Sequence, residues 1–489
     1  MNLPLTTLAI PRIRELLVSG QVSATEIVRE YLSRIQRLDP LLNAFITVTE
    51  DYAFRCAQQI DQKISDHQPV GLLAGSVMAV KDVYLTEGIQ TTAGSKVLQG
   101  FIPPYSSTVY RRLLEQDAIV IGKTNTDCFA FGVSTENSGY FVTKNPWDLS
   151  LIPGGSSGGS AAAQAASLCT FALGTDTGGS IRQPASLCGI TGIKPTYGRN
   201  SRYGITAMAS SFDCPGTFAK NVSDASLITQ IMAGVDSQDA TSSTEPVPEY
   251  LSPARTVSLK GLRIGIPKEY FDAAIDPEVK AAVLAAATRL ESEGASLISV
   301  SLPNTALGLA VYYVLVPSEI SANMARYDGI RFGQSKKDAV DLLSHYQETR
   351  GEFMEPELKR RILIGTYALS AGYFDAYYLK ASQVRTLIKD EFQNAFTQVD
   401  LILAPVSPTV AWPIGQKAND PLQMYLADVY TCCINVAGLP ALALPGGFNS
   451  NNLPIGFQLI GNYFEEAKLF SVGHQFQQLT DYHLKVPSL

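Results

Sequence analysis

Two glycine- and serine-rich stretches in the middle of the chain contain the residue types that nucleophilic catalysis uses. The first is "PGGSSGGSAAAQAA", from Pro153 to Ala166, and the second is "TDTGGSIRQP", in which Ser180 follows two glycines. Small residues before a serine allow backbone N–H groups to converge on one point, as an oxyanion hole requires. The second stretch is therefore a candidate position for a serine nucleophile.

The first stretch has three other interpretations, and the sequence weakens each of them. A phosphate-binding loop ends in Lys and then Ser or Thr, whereas Ser160 is followed by alanines. A dinucleotide fingerprint fits poorly, because Asp176 stands at the expected distance but inside another glycine-rich loop. A flexible linker is the third alternative. The alanine-rich helical run and the strand-like "CTFALGTD" that follow favour a turn fixed between ordered elements.

A serine nucleophile needs a base, and the chain is poor in the usual one. It has only four histidines: His67, His345, His474 and His483. This makes a Ser-His-Asp triad the weaker alternative. A lysine serves instead if burial lowers its pKa from about 10.4 to roughly 7 to 8. Lys81, in the apolar "SVMAVKDV", fits this requirement, while Lys123 and Lys194 have similar settings, so spacing alone leaves the choice open.

The elements that must position these residues alternate between strand and helix patterns. "SATEIVREYLSRIQRLDP" begins with a capping box, Ser23 and Glu26, and Pro40 is expected to end that helix. "GLRIGIP", "DPEVKAAVLAAATRLESEGA" and "SLISVSLP" predict strand, helix and strand, and "VDLILAP" and "PALALP" predict buried strands. This alternation predicts an α/β fold with a central mixed β-sheet covered by helices on both faces.

The domain organisation follows from the same patterns. A polar, proline-rich stretch from Asp236 to Ser258 is the clearest surface loop in the chain. Strand and helix patterns of one type lie on both sides of it. We therefore predict a single domain over residues 1–489, with this loop at its surface and a helical excursion around residues 305–395.

Composition narrows the class of protein. The chain has 489 residues, 46% of them hydrophobic, and a formal net charge of −7, which argues against direct gripping of nucleic acid. Apolar runs such as "LILAP" and "GLPALALP" are far shorter than the roughly 20 residues of a membrane span. Seven cysteines without CxxC spacing indicate reduced thiols rather than disulfides or a metal site. These features, with no secretion signal at the N-terminus, predict a cytoplasmic protein.

The two serine-containing stretches, together with "AVKDV", resemble the motifs of the amidase signature family. The likeness extends over "LGTDTGGSIRQPASLCGITGIKPTYGR" and covers nearly the whole chain. It implies the amidase signature fold and a Ser-Ser-Lys triad: Ser180 as nucleophile, Ser156 after a cis peptide bond as proton relay, and Lys81 as base. It also implies an oxyanion hole formed by the amides of four residues: Thr177, Gly178, Gly179 and Ser180.

Later segments are similar to the branch of this family that hydrolyses glutamine within tRNA-dependent amidotransferases. They are "KRRILIGTYALSAGYFDAYYLKASQVRTLI" and "NDPLQMYLAD". By this resemblance Arg361 binds the glutamine α-carboxylate, with Arg360 as the alternative, Asp428 receives the α-ammonium, and Tyr312 lines the pocket. The charges agree, since Arg binds carboxylates and Asp accepts from ammonium groups.

The same resemblance implies partners. The chain would belong to a heterotrimer with subunits B and C and release ammonia for the conversion of Glu-tRNA(Gln), Asp-tRNA(Asn) or both. The mischarged tRNA would bind mainly through one of these partners, which would also use ATP and Mg²⁺. No cofactor or metal is expected in this chain. A free-standing amidase acting on a small or aryl amide and a non-catalytic scaffold are the alternatives.

Two departures from the family pattern involve cysteines. Cys128 stands where the family usually has an acidic residue, and the segment "SFDCPGTFAKNV", which contains Asp213 and Cys214, lacks the usual glutamine and proline. Such changes are expected to alter a contact between subunits or the coupling to a partner. They leave amide hydrolysis as the expected activity.

Overall fold

The computed structural model describes residues 4–250, 256–272, 275–418 and 420–489, and its centre is one mixed sheet of eleven strands. The strands are β1 Phe45–Val48, β2 Val77–Lys81, β3 Ile119–Thr124, β4 Phe171–Thr175, β5 Thr191–Lys194, β6 Pro215–Ala219, β7 Arg263–Pro267, β8 Ser296–Val300, β9 Leu401–Pro405, β10 Ala441–Phe448 and β11 Pro454–Ile460. Their order across the sheet is β1-β3-β2-β4-β6-β5-β10-β11-β9-β7-β8.

Parallel and antiparallel pairs both occur in this sheet. Strand β2 runs parallel to β3 and β4, and β7 runs parallel to β8 and β9. The pairs between these two groups, from β4–β6 through β11–β9, are antiparallel. Parallel strands place their carboxyl ends at the same edge, so Lys81 at the end of β2 and Thr175 at the end of β4 are neighbours.

Sixteen α-helices lie among the described residues. They are α1 Ile10–Val18, α2 Ala24–Leu42, α3 Glu50–Ser65, α4 Thr108–Leu114, α5 Gly158–Ala165, α6 Arg182–Cys188, α7 Val222–Met232, α8 Glu269–Asp272, α9 Pro277–Ser292, α10 Gly308–Met324, α11 Leu342–Phe353, α12 Pro356–Leu369, α13 Lys380–Phe396, α14 Pro421–Tyr425, α15 Cys432–Ala437 and α16 Glu466–Leu479.

The helices cover both faces of the sheet, and the side chains of β2 show this directly. Val77 and Ala79 pack in a core cluster with residues of α2, α3 and α5, whereas Met78 and Val80 pack in a second cluster with residues of α7, α9, α10 and α16. Alternate side chains of a strand point to opposite faces, so both faces are buried. The predicted α/β fold with a covered mixed sheet is confirmed.

Helix α2 shows what local sequence signals predict well and where they fail. The Ser23 and Glu26 capping box is present, with Glu26 N–H donating to Ser23 Oγ at 3.1 Å and Ser23 N–H donating to Glu26 Oε2 at 2.8 Å. The expectation that Pro40 ends the helix is wrong, because α2 continues to Leu42. Proline in the last turn removes one donor, and Asn43 then ends the helix in the left-handed conformation.

Four helices, α10 to α13, occupy the chain between β8 and β9 and correspond to the predicted excursion around 305–395. The predicted surface loop at 236–258 lies partly outside the described residues, since 251–255 are not described. Strands from both sides of that loop join the same sheet. The assignment of residues 1–489 to a single domain stays a prediction.

One helical segment, Pro303–Met324, is long and apolar enough by length and composition to cross a membrane. It is longer than the apolar runs noted in the sequence. Half of its most apolar window is buried in the protein, and Val316 and Ile320 belong to the main core. A core helix of this kind passes the same test, so the segment is weak evidence for a membrane span.

Candidate active site

The strand ends at one sheet edge bring a lysine and two hydroxyl groups together. Lys81, the last residue of β2, places Nζ 2.8 Å from Ser156 Oγ and 2.9 Å from Thr175 Oγ1. Ser156 lies in the loop before α5, and Thr175 ends the neighbouring parallel strand β4. The pairing of β2 with β4 therefore fixes the lysine between the two glycine- and serine-rich loops.

The side chain of Lys81 is fully buried. Burial lowers its pKa from the ordinary 10.5 to about 7, although the carboxylates of Asp127, Asp176 and Asp213 act in the opposite direction. Removing an ammonium group from water disfavours the charged form. A substantial fraction of Lys81 is therefore a neutral amine near pH 7, the form that accepts a proton.

The two rival lysines are buried elsewhere. Lys123 forms a 3.0 Å ion pair with Asp82 and donates to Thr91 Oγ1 at 2.7 Å. Lys194 donates to the Pro195 carbonyl at 2.9 Å. Neither contacts Ser156, so Lys81 is the lysine among these three that meets a candidate catalytic serine.

The loop that carries Ser156 is held by a buried carboxylate and a side-chain amide. Asp127 accepts hydrogen bonds from the N–H groups of Thr135 and Asn137, both at 2.9 Å. Gln183 Oε1 accepts from Gly155 N–H at 3.0 Å, and a Cβ atom at Gly155 would lie only 2.5 Å from Asp127 Oδ2. The peptide bond between Gly155 and Ser156 is cis, as the family resemblance implied. Only glycine fits at position 155, because any side chain would displace Asp127.

The loop from Asp176 to Ser180 presents free backbone donors. In the described part of the chain, the N–H groups of Thr177, Gly178, Gly179 and Ser180 donate to no acceptor, whereas the next residue, Ile181, donates to the Asp176 carboxylate at 3.2 Å. Unsatisfied N–H groups at a buried turn are the donors that an oxyanion hole needs. The four predicted donors are thus available together.

A buried ion pair fixes the shape of this loop. Arg182 contacts both oxygens of Asp176 at 3.0 Å, and Asn435 Nδ2 donates to the same carboxylate at 2.9 Å. Burial alone would raise the pKa of Asp176, but Arg182 lowers it to about 2. Gly179 has φ +144°, and a Cβ there would lie 2.3 Å from Thr431 Oγ1, so the turn requires glycine.

The two serines lie on loops joined by backbone contacts. Ser157 N–H donates to the Ser180 carbonyl at 3.3 Å, and Ser157 Oγ donates to the Thr175 carbonyl at 3.2 Å. Ser180 is 8% exposed and Ser156 is fully buried. No hydrogen bond within residues 151–216 joins the two hydroxyls directly. The structure brings Lys81 and Ser156 into contact and leaves Ser180 as the more accessible hydroxyl; the catalytic roles of all three stay a prediction.

The predicted pocket residues come from the helical segment and from the turn after α14. Tyr312 on α10 is buried, and a Cβ at Gly178 would lie 2.5 Å from its hydroxyl oxygen. Asp428 is also buried, with Oδ1 3.2 Å from the Cβ position of Gly179. Both side chains therefore lie directly against the loop that carries Ser180.

Arg361 reaches the same region from α12 and is held by an aromatic and acidic surround. Its guanidinium lies 5.4 Å from the ring centroids of both Tyr313 and Tyr425, and its Nε donates to Glu357 Oε1 at 2.8 Å. Arg360, the alternative, is paired with Glu357 at the surface, with 47% of its side chain exposed. Helix periodicity turns one of the two arginines inward, and that one is Arg361.

Asp428 connects to Arg361 through Tyr313. Tyr313 Oη donates to Asp428 Oδ2 at 3.4 Å, and its ring stacks on Tyr425 at 3.9 Å between centroids. Burial raises the pKa of Asp428 to about 8, although Arg361 acts to lower it. A carboxyl group of this kind ionises readily once a cation binds beside it. The site thus combines a fixed cation with a carboxyl group that is ready to receive one.

The remaining candidates lie away from this arrangement. His474 contacts Ser223 and Gln478, and His345 contacts the Lys336 carbonyl, so neither serves the serines. The described residues contain no group of three or more His, Cys, Asp or Glu side chains able to hold a metal ion. Cys128 and Cys214 are both buried, which rules out a direct contact with another subunit through their side chains in this structure.

Sequence reasoning missed four residues that the geometry brings into the site: Thr175, Asp127, Tyr313 and Glu357. Thr175 was within reach, because it precedes the "DTGGS" loop directly. Glu357 was also readable, since it stands four residues before Arg361 on a predicted helix. Asp127 and Tyr313 carry no local signal, because their contacts are with residues distant in sequence.

Comparisons with known proteins agree with this geometry. A family profile described as Amidase matches residues 26–470. The A subunit of the glutamyl-tRNA(Gln) amidotransferase from Microcystis aeruginosa is 51% identical over 480 residues, covering 98% of this chain and 99% of the relative. The crystal structure of the corresponding Thermotoga maritima protein superimposes with a TM-score of 0.79 at 38% identity, covering 97% of this chain and 95% of that one.

A peptide amidase structure is also similar, with a TM-score of 0.84 at 30% identity and full coverage of both chains. The shared fold therefore extends to amidases with other substrates. The profile match and the full-length relatives both include the residues that form the site. The chain belongs to the amidase family, and over its full length it is similar to the A subunits of glutamyl-tRNA(Gln) amidotransferases.

Proposed function

We propose that this chain hydrolyses glutamine as the amidase component of a tRNA-dependent amidotransferase. The observation that carries the proposal is the position of Asp428 and Tyr312 against the Ser180 loop, with Arg361 linked to Asp428 through Tyr313. An α-amino acid amide needs one cation for its carboxylate and one anion for its ammonium group. A simple amide needs neither.

The proposed reaction begins with proton transfer through two hydroxyls. Neutral Lys81 accepts a proton from Ser156, and Ser156 in turn accepts one from Ser180 as Ser180 Oγ attacks the side-chain amide carbon of glutamine. The carbonyl oxygen becomes an oxyanion that the N–H groups of residues 177–180 stabilise. The protonated relay then returns a proton to the nitrogen as the C–N bond breaks and ammonia leaves.

The second half of the reaction restores the enzyme. Water attacks the γ-glutamyl ester on Ser180, and the same relay takes its proton while the ester bond breaks. The products are glutamate and free Ser180. Burial of Lys81 and Ser156 supports this scheme, because a lysine with a pKa near 7 both accepts and returns a proton at neutral pH.

The ammonia acceptor and partners belong to the same proposal. The relatives' names describe an amidotransferase acting on glutamyl-tRNA(Gln), which supports a complex with subunits B and C and an acceptor on mischarged tRNA. Service to Asp-tRNA(Asn) is part of the proposal as well. ATP and Mg²⁺ activation of the tRNA ester would then belong to a partner, and the cytoplasm would be the compartment. The net charge of −7 supports tRNA binding mainly through a partner.

Ammonia release from glutamine tests the proposal, with the chain alone and with B and C subunits, ATP and mischarged tRNA. We expect slow hydrolysis by the chain alone and a marked increase in the complete system. Full activity toward glutamine without any partner would contradict the proposed role within a complex. Equal turnover of glutamine and a simple aliphatic or aryl amide would instead support a free-standing amidase.

A further inference from the structure

The segment 362–379 exposes an apolar surface that the catalytic site does not use. Eight of the 27 large hydrophobic side chains described as exposed fall within residues 363–379. We call six of them the aromatic patch: Leu363, Tyr367, Leu369, Tyr373, Phe374 and Tyr377. In this segment of 18 residues, Asp375 is the single charged residue. Such clustering distinguishes the patch from scattered surface side chains, which need no explanation.

The patch is continuous rather than a set of separate side chains. The ring centroids of Tyr367 and Tyr373 are 4.4 Å apart, and those of Tyr367 and Tyr377 are 5.9 Å apart. Leu363 lies one helical turn before Tyr367 on the same face of α12. The rings therefore form one surface with Leu363 at its edge, 69% exposed.

Helix α12 cannot turn to bury this surface. Its opposite face carries the buried residues Leu358 and Arg361, and Gly365 is pressed so closely onto α10 that a Cβ would lie 1.8 Å from the Pro317 carbonyl oxygen. Any rotation would place a side chain against that backbone and would remove Arg361 from the site. The aromatic patch is thus fixed outward by the packing that places Arg361 inward.

The size and composition of the patch match the centre of a protein interface. Large side chains offer roughly 150–250 Å² each, so six that are about half exposed leave on the order of 500 Å² of apolar surface. A standard interface buries roughly 800 Å² per partner, with a tyrosine-rich, charge-poor core and a polar rim. The chain also forms a π-helical turn at Asp375–Leu379, an uncommon conformation that is frequent at functional sites.

We propose that the aromatic patch docks a partner subunit of the amidotransferase, through a charge-poor face of aliphatic side chains with acceptors for the tyrosine hydroxyls. This inference rests on the proposed function, because relatives similar over 98% of the chain are named as one subunit of such an enzyme. The area argument supports a heteromeric partner of standard interface size. A second copy of this chain is the alternative occupant and is an outcome of the test.

Docking on this face would act on the substrate pocket through α12. Glu355 caps the start of the helix and accepts from Ser95 Oγ at 2.7 Å and from Lys96 N–H at 2.8 Å, while Glu357 and Arg361 lie in its first two turns. A partner packed on the outer face therefore fixes the helix whose inner face binds the substrate. We expect assembly to lower the KM for glutamine more than it changes kcat.

The test compares the affinity of two variants of the full chain for a cognate B–C subunit pair. Leu363→Glu with Tyr373→Glu should weaken the dissociation constant about 100-fold, since apolar anchors at an interface centre dominate binding. The control is Leu484→Glu, which places the same charge on an exposed leucine outside the patch, and it should bind within about threefold of the unmodified chain. Both should retain the glutamine hydrolysis rate of the isolated chain.

Three results would overturn the docking proposal. Binding of the doubly substituted chain within threefold of the unmodified chain is the first, and failure of the unmodified chain to bind the B–C pair is the second. The third is a homodimer that the substitutions dissociate while B–C affinity stays unchanged. Patch-dependent binding by a chain that hydrolyses no glutamine would instead support docking and contradict the proposed function. Leu363→Ser with Tyr373→Ser repeats the test if the glutamates unfold α12.

Discussion

The sheet edge and the helical layer build the site in different ways. At the sheet edge, Lys81, Ser156 and Ser180 lie on short loops whose shape depends on glycines and on buried ion pairs such as Asp176–Arg182. In the helical layer, Arg361 and Asp428 are held by large aromatic side chains around Tyr313. The first region suits bond-breaking chemistry common to amidases, and the second selects which amide enters.

The largest expected effect comes from the sheet edge. Ser180→Ala should reduce glutamine hydrolysis by about 10⁴-fold or more, because the nucleophile is lost and the remaining groups act only on water. Steady-state ammonia release measures this change. Arg361→Gln offers a matched change in the helical layer, and an equal loss in both variants toward uncharged amides would break the distinction between the two regions.

The two buried lysines give the next largest contrast. Lys81→Met should lower kcat by about 10²- to 10⁴-fold, since it removes the general base. Lys123→Met should leave activity per folded molecule nearly intact but reduce the free energy of unfolding by about 3–5 kcal/mol, because Asp82 loses its ion-pair partner. Kinetics and denaturant unfolding measure the two effects. A harmless Lys81→Met change would remove the proposed triad.

Substitutions in the helical layer should be selective for substrate. Asp428→Asn and Arg361→Gln should each reduce kcat/KM for glutamine by about 10- to 150-fold, the range expected for a lost charged hydrogen bond. Turnover of an uncharged amide such as butyramide should change less than about threefold, because it pairs with neither group. Parallel losses on both substrates would mean that these residues support the fold rather than the substrate.

The pH dependence should also separate the regions. The pKa of Lys81 is about 7 and that of Asp428 is about 8 in the free chain. Lys81 acts when deprotonated and Asp428 binds ammonium when deprotonated, so both contributions are lost as pH falls. The kcat/KM for glutamine should therefore rise between about pH 6 and 8, while that for an uncharged amide should level off above about 7. Coincident profiles would exclude a role for Asp428.

The smallest expected effect concerns Tyr313. Tyr313→Phe keeps the ring beside Arg361 and removes only the 3.4 Å hydrogen bond to Asp428. A neutral donor to a carboxylate at that distance contributes about 0.5–1 kcal/mol, so KM for glutamine should rise about two- to fivefold with kcat unchanged. Substitution by Ala should cost more, because it also removes the stacking on Tyr425.

The sequence predicts the sheet edge better than the helical layer for a physical reason. Glycines flanking Ser156 and Ser180 report backbone constraints, and the run "SVMAVKDV" reports a buried strand, so short windows carry the information. Lys81, Lys123 and Lys194 nevertheless look alike in sequence, because the pairing of β2 with β4 is a long-range contact. Only that pairing places Lys81 beside Ser156.

In the helical layer the informative contacts join distant segments. Tyr313, Arg361 and Asp428 meet from α10, α12 and the turn after α14, and only the family resemblance named two of them in advance. Helix periodicity distinguishes Arg361 from Arg360 once α12 is packed on α10, but the sequence does not show which face is inward. Proline at position 40 shows a similar limit at a helix end, where the last turn tolerates a missing donor.

The most direct test of the proposed mechanism is to identify the residue that becomes acylated. Acid quenching during turnover of isotope-labelled glutamine, followed by peptide mass spectrometry, should find a γ-glutamyl ester on Ser180, and Ser180→Ala should abolish it. Lys81→Met should reduce the rate at which the ester forms. An ester on Ser156 or on a cysteine, or its persistence in Ser180→Ala, would contradict the mechanism.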